Sequence, residues 1–457
     1  MKKDRVIIMG AAGRDFHNFN LCFRRDSNSR VVAFTAAQIP GISHRTYPPS
    51  LAGRYYPRGI PIFPEDKLVE LIHKHKVNKV VLAYSDLPYT EVMEKCTLVN
   101  AAGADFMLLG PSETMLGSRR PVIAITAVRT GCGKSSTTKK VAGILKGMGR
   151  RPVIVRHPMP YGDLEKQTCQ HFVTYEDLKR ENCTIEEREE YEPLIAQGFR
   201  VFAGVDYEKV LRRAEREADV IIWDGGNNDF PFFRPDLYIT LVDPHRPGHE
   251  ISYYPGEINL RRADIVIVNK MRTAKKSAVR QVERNIRERN PKATVIHADL
   301  AITIDCPECV EERRVLVVED GPTLTHGGMA YGAGTLAARR YHARIVDPRA
   351  CLTGSLRRVF KQYPHLGKIL PAMGYGERQL EELRGAINCV PCDIVISATP
   401  TDLSRIIECN KPIVHVDYEL KELEKPDRPS LREVLKKFIT SRGLRKRKQG
   451  INLDSVG

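Results

Sequence analysis

An α/β fold with largely parallel sheets is what the sequence predicts, on three observations. Short β-rich runs alternate with longer helical stretches along nearly the whole chain. Glycine-rich turns join strand to helix at Gly10–Gly13 and at Thr130–Ser136. At 457 residues the chain exceeds one ordinary core, so two or three domains are expected.

The first unit opens with a predicted strand at Val6–Met9, the Gly10-Ala-Ala-Gly13 turn and a helix from about Phe16. Strands follow at Val31–Thr35, Lys79–Ala83 and Phe106–Leu109, with helices at Asp66–His75 and Glu91–Ala102. Ile39–Pro64, rich in Pro, Gly, Tyr and Arg, reads as a long loop. Residues 1–119 are therefore expected to form a Rossmann-like N-terminal domain. In the second unit, Val122–Thr126 leads into the Thr130–Ser136 turn. Val141, Ile144, Leu145 and Met148 then share one helix face at i, i+3, i+4, i+7 spacing, and Gly149 is a stop signal. Strands are predicted at Val153–Arg156, Val220–Trp223, Leu237–Val242, Ile265–Asn269 and Thr294–His297. Residues 120–310 are read as a P-loop nucleotide-binding domain. Residues 311–457 continue the alternation with strands at Val315–Val318, Ile394–Ser397 and Ile413–Val416. Helices are expected near Thr335–Tyr341, Gln379–Ile387 and Leu431–Ile439. This C-terminal α/β region is either an extension of the second sheet or a third domain.

Composition narrows the class. Apolar residues make up 42% and charged residues 28%, as in a globular chain. No apolar run approaches the ~20 residues that span a bilayer, and MKKDRVIIMG lacks the apolar core of a signal peptide. A cytoplasmic protein without a membrane partner is expected. Eleven cysteines in this length are not a disulfide framework, and most should be reduced thiols. Lys and Arg (72) outnumber Asp and Glu (56), giving +16. The excess is spread out, with one cluster at Arg442–Lys448. No aromatic-rich RNA motif accompanies it, so nucleic-acid binding is not expected, and steering of small polyanions is the reading we carry forward. A homodimer is compatible with the sequence.

The phosphate loop carries the most specific chemistry. A triphosphate needs backbone N–H donors, a helix N-terminus and a cation. Thr130, Gly131, Cys132, Gly133, Lys134, Ser135 and Ser136 supply them in order. The glycines allow close backbone approach, Lys134 reaches the β- and γ-phosphates, and Ser135 offers a hydroxyl to Mg²⁺. The first glycine of G-x-x-x-x-G-K-[ST] would fall at Val128. The form T-G-C-G-K-S instead resembles the dethiobiotin-synthetase and nitrogenase-iron-protein branch of P-loop proteins. Asp224, at the tip of an apolar strand, is the expected acidic partner of the metal, with Asp163 assisting. Val268-Asn269-Lys270 is the candidate base site. Guanine readers carry N-K-x-D, and here Arg272 stands at the carboxylate position, so ATP is favoured over GTP.

Four further groups are candidates. Arg156 and His157, after a strand, could clamp an anionic substrate. Arg246 could stabilise charge on a transferring phosphoryl group. Asp320, Thr323, Thr325 and His326 lie in a dense polar run, with His326 a catalytic candidate beside Lys134, Asp224 and Arg246. The pairs Cys306/Cys309 and Cys389/Cys392 could together make a four-cysteine zinc site, although about 80 residues separate them.

Taken together, MGAAGRDFHNFN, TGCGKSS, RHPMPYGDL, WDGGNNDFPF, LVDPHRPGHE, VEDGPTLTHGGMAYGAG and PAMGYGE resemble a mainly archaeal family described as GTPases and as cyclic 2,3-diphosphoglycerate synthetases. The resemblance covers nearly the whole chain. It implies a Mg-ATP-dependent phosphoryl-transfer enzyme, a ligase or kinase, acting on a small phosphorylated acid, with 2,3-diphosphoglycerate closed to its cyclic form as the reaction the family name gives. Lys134, Ser135 and Asp224 would position the nucleotide, and Arg156, His157, Arg246 and His326 would offset substrate charge. The competing expectation is a GTPase-type nucleotide switch or metallochaperone-like protein.

Overall fold

The computed structural model describes residues 3–36, 42–226, 228–325, 329–373, 377–423 and 428–443, without the side chains of residues 322 and 323. Two large sheets organise them. The first has six strands; its five parallel members are Asp4–Met9, Ser29–Ala36, Ile60–Pro64, Lys79–Leu82 and Asp105–Leu108, in the order third-second-first-fourth-fifth. Thr46–Tyr47 pairs antiparallel with Ile60–Pro64 at the edge. The stretch expected as one loop thus contains short elements, including the helix Pro49–Ala52, while its residues 39–41 lie outside those described. The first helix begins at Arg14 and passes at Phe19 into a wider π-type turn.

The second sheet has thirteen strands. Val122–Ala127 lies between Val220–Asp224 and Leu237–Val242, parallel to both. Its inner strands are buried on both faces, and Ile123, Ile125, Ile221, Ile222 and Trp223 have no exposed surface. Each such side chain is worth about 1.5–3 kcal/mol of burial, which favours continuous apolar runs over strict alternation. Two strands run past their expected ends. Thr294–Ile304 pairs parallel with Ile265–Val268 near its start and antiparallel with Ile413–Glu422 near its end. That crossing brings the C-terminal strands Ile413–Glu422, Ile394–Ala398 and Arg314–Asp320 into the same sheet. The extension was hidden because Asp299 and Thr303 interrupt one strand and Asp417, Glu419, Lys421 and Glu422 the other.

The N-terminal sheet is tied to the second by buried polar contacts. Arg14 donates from Nε to Asp229 Oδ1 (2.8 Å) and lies 3.7 Å over the Phe230 ring. Arg129 Nε meets Asp86 Oδ1 at 2.6 Å. His17 donates from Nε2 to the Thr114 carbonyl (2.7 Å) and stacks on Phe232 with centroids 4.4 Å apart.

Burial pushes the His17 imidazole down to about 3, with the Thr114 carbonyl acting against that shift and Arg14 adding to it. An unfolded histidine titrates near ~6.5, so the unfolded chain takes up this proton first. The stability His17 contributes is complete above about 6.5 and is lost as pH falls toward 3. His17→Gln keeps a donor for Thr114 and should flatten that acid limb, measured as denaturation midpoint against pH. Identical limbs would exclude His17 as its source.

The two CxxC pairs do not come together as a zinc site. Cys306 is disulfide-bonded to Cys309, and Cys389 to Cys351 instead of approaching the other pair. Cys392 is a buried free thiol, and the described residues contain no group of three or more ligands able to hold a metal ion. Seven cysteines are free. No helix among the described residues is long and apolar enough to cross a membrane.

Candidate active site

The Thr130–Ser136 loop joins the buried strand Val122–Ala127 to the helix Lys134–Gly147. Gly131 and Gly133 have φ of 81° and 104°, the left-handed region that glycine enters at low cost. Three side chains from distant strand ends hold the loop from behind. Asn269 Nδ2 donates to the Cys132 carbonyl (2.8 Å), Lys270 Nζ to the Gly131 carbonyl (2.7 Å), and Arg246 to the Thr130 carbonyl (2.7 Å). Asp243 anchors both cations, 3.0 Å from Lys270 and 3.4 Å from Arg246. Its carboxyl is held below the usual range by those cations despite its burial.

This geometry revises two expectations. Arg246 was expected to face a transferring phosphoryl group, but its guanidinium is engaged by the loop backbone and by Asp243. Asn269 was expected at the base, but its amide is a strut of the loop. A Cβ at Gly133 would lie 2.4 Å from Asn269 Nδ2, which explains why glycine is required there. Lys270 and His245 line the cavity beside the loop, and Arg272 is displaced to the exterior, 3.8 Å from Asp299.

Asp224 is fully buried in register between Ile125 and Arg156 on the neighbouring strands. Its Oδ2 accepts from Thr138 Oγ1 (2.7 Å) and from Arg156, which also meets Glu190. Its Oδ1 has no hydrogen-bond partner, and Ser135 lines the same opening. A buried carboxylate oxygen without a donor, beside a hydroxyl, fits a divalent cation such as Mg²⁺. Asp163 does not join them. It is exposed, its Oδ1 accepts from the Glu165 backbone, and it lies outside the residues lining the cavity.

The loop opens into a cavity of about 360 Å³ to which all three regions of the chain contribute. The N-terminal turn supplies Ala12–Asp15, where Asp15 Oδ1 accepts from Ala12 (2.7 Å) and burial lifts its carboxyl to about 7. Arg156 and His157 also line it, and burial, then Arg156 and Lys134, hold His157 near 3 and therefore neutral. Asp320 lines the cavity at the end of the strand Arg314–Asp320. Thr325 turns its hydroxyl to the Gly321 carbonyl (2.9 Å) and is absent from the cavity lining. His326 and the Thr323 side chain lie outside the described residues. Glu319 is used structurally: its carboxylate accepts from Gly332, Gly334 and Thr335 at the start of the helix Ala333–Arg340.

A carboxylate wall was missed in the sequence. The helix Ile185–Ala196 carries Glu186, Glu189 and Glu190 toward the site, with Glu186 accepting from Tyr161 (2.7 Å). Its run of glutamates reads as a solvated face. The available signal was Thr184-x-x-Glu187, which forms a capping box, followed by Tyr191, Leu194 and Ile195 at core spacing.

Residues 198–298 match the family model described as "Cyclic 2,3-diphosphoglycerate synthetase, P-loop domain". A protein of Thermococcus kodakarensis named arginine synthetase ArcE is 57% identical over 438 residues, 96% of this chain and 97% of its own. A cyclic 2,3-diphosphoglycerate synthetase of Thermococcus sibiricus is 25% identical over 52% of this chain and 48% of its own. One of Pyrococcus furiosus is 28% identical over 21% of this chain and 22% of its own.

Proposed function

The chain belongs to one family with the arginine synthetase ArcE, within the cyclic 2,3-diphosphoglycerate synthetase group of P-loop proteins, and from that membership we propose an ATP-dependent synthetase whose acceptor is an amino acid and whose second substrate is a nitrogen nucleophile. The observation that carries the choice is the charge of the wall facing the loop. Glu186 and Asp320 stand there with Tyr161 and Tyr418, beside Glu190, which Arg156 answers. A bisphosphate would set several negative charges against them, each pair costing about 3 kcal/mol at 5 Å and an effective dielectric of 20. The cations that could offset it are engaged: Arg156 by Asp224 and Glu190, Arg14 by Asp229, Lys270 by Asp243. A guanidinium product suits such a wall, because carboxylates accept its forked N–H groups. We therefore favour an arginine-forming reaction over phosphorylation of 2,3-diphosphoglycerate.

In this reading the loop amides and Lys134 bind the triphosphate, and Asn269, Lys270 and Arg246 keep the loop in its binding shape. Ser135 and Asp224 would hold Mg²⁺, which supplies charge neutralisation for the phosphates. A ureido oxygen of the acceptor attacks the γ-phosphorus, and ADP leaves with the electrons of the broken P–O bond. The nitrogen nucleophile, having lost a proton to a carboxylate, forms the C–N bond as the C–O bond breaks and phosphate departs. Neutral His157 can accept or donate one hydrogen bond without adding charge.

The test is an end-point assay with ATP, Mg²⁺, ammonium and the ureido analogue of arginine. Arginine and ADP should appear in equal amounts. ADP release with 2,3-diphosphoglycerate, and none with the ureido acid, would overturn the assignment.

A further inference from the structure

Behind the phosphate loop lies a second cavity of about 330 Å³, between the helix Ile185–Ala196 and the strand Ile413–Glu422. It shares Ser135, Arg156, Glu190 and Tyr418 with the first, so the two meet where the triphosphate tail would end. Its wall carries Glu189, Glu190, Asp224, Asp305, Asp402 and Asp417, against Lys139, Arg156 and His415. Most of these charges are answered. Arg156 serves Asp224 and Glu190, Lys139 lies 3.2 Å from Asp417, and Arg405 lies 3.0 Å from Asp402.

Glu189 is different. It is only 6% exposed and meets no cation among the described ion pairs. Oε1 accepts from Thr399, Oε2 takes no donor from an N–H or hydroxyl group, and the carboxyl group shares a side-chain hydrogen bond with Asp320. Burial, then the neighbouring Asp320 carboxylate, with a lesser contribution from Glu186, hold its pKa well above the usual carboxylate range. A buried carboxylate that faces another carboxylate either keeps a proton or binds a cation. Apart from the Ser135 and Asp224 pair, Glu189 has no metal cage around it, since no group of three or more metal-binding side chains occurs among the described residues. A small nitrogen cation needs only convergent acceptors, which Glu189 and the Thr399 hydroxyl provide.

We propose that this second cavity is the subsite for the nitrogen nucleophile, taken up as ammonium or a small primary ammonium ion with Glu189 as its counter-ion. The proposal rests on the reading that the enzyme joins nitrogen to an activated acceptor. It adds a second cavity, from which the nucleophile reaches the activated carbon where the two cavities meet at Ser135, Arg156, Glu190 and Tyr418. Arrival of the cation replaces the proton held on Glu189, so binding releases a proton and weakens as pH falls.

The experiment uses the full chain without nucleotide. Wild type and Glu189→Gln are titrated with ammonium chloride, and with tetramethylammonium chloride at the same ionic strength, reading proton release and denaturation midpoint. Wild type should show saturable stabilisation and proton release with ammonium alone. In Glu189→Gln the proton release should vanish and the ammonium affinity should fall by about tenfold or more. ATP affinity in the same samples, expected to stay within about twofold, reports that the variant is folded. If it is not, Thr399→Val carries the test, with weaker ammonium binding expected. No ammonium-specific effect in wild type, or an equal effect in the variant, would overturn the subsite. These readouts do not need turnover. Ammonium binding without arginine synthesis would sink the functional reading and leave the site. Arginine synthesis with an unchanged ammonium KM in Glu189→Gln would sink the site and leave the reading.

Discussion

Lys134→Ala should lower nucleotide-dependent turnover by about 10³-fold, or about 4 kcal/mol of transition-state stabilisation. The ammonium group sits at the N-terminus of the helix Lys134–Gly147 and lines the cavity. Burial pulls its pKa down, and the Asp224 carboxylate opposes that shift. A cation held at a desolvation cost in the free protein gains most when a polyphosphate arrives. The fold should tolerate the change, because removing a partly buried charge relieves that cost, so the denaturation midpoint of the nucleotide-free variant should stay or rise. Lys134→Arg should not restore the rate, since a planar fork cannot replace a compact point charge in a loop of fixed shape. Steady-state ADP release together with direct nucleotide binding checks both parts. Undiminished turnover in Lys134→Ala would remove the loop from the chemistry.

Gly133→Ala should cost about 2–3 kcal/mol of stability and about 100-fold in turnover, from a single added methyl. The backbone there has φ of 104°, which costs an alanine roughly 1–2 kcal/mol. The new Cβ would also meet Asn269 Nδ2 at 2.4 Å, displacing the amide that holds the Cys132 carbonyl. That forfeits a further ~1 kcal/mol and frees the loop from its binding shape. Gly143→Ala, within the helix that begins directly after Gly133, provides the contrast. Nothing lies within 4 Å of its added Cβ, so helix propensity should stabilise the protein by up to ~1 kcal/mol without changing turnover. Equal effects of the two substitutions in chemical denaturation would exclude the Asn269 contact as the reason glycine stands at 133.

Much of this architecture was legible in the chain itself. Val122–Ala127 and Val220–Asp224 announce themselves because strands covered on both faces must be apolar at every position. The phosphate loop shows because its glycines and its lysine are fixed by the needs of a polyanion at a helix start. Both are local signals, complete within a few residues. What the chain could not disclose is which polar side chains turn toward the ligand and which brace the backbone. Arg246 and Asn269 look like ligand contacts at strand ends, yet they brace a loop 116 and 137 residues away in sequence. The glutamates of Ile185–Ala196 look solvated, yet Thr399, 210 residues from Glu189, closes over them. Two CxxC pairs look like one metal site, yet they remain apart and Cys389 meets Cys351. A side chain's charge and hydrogen-bonding capacity are written in the sequence. Whether that capacity is spent on the protein or left for a substrate depends on what the packed fold brings within 3 Å, because a hydrogen bond fades over a few tenths of an ångström.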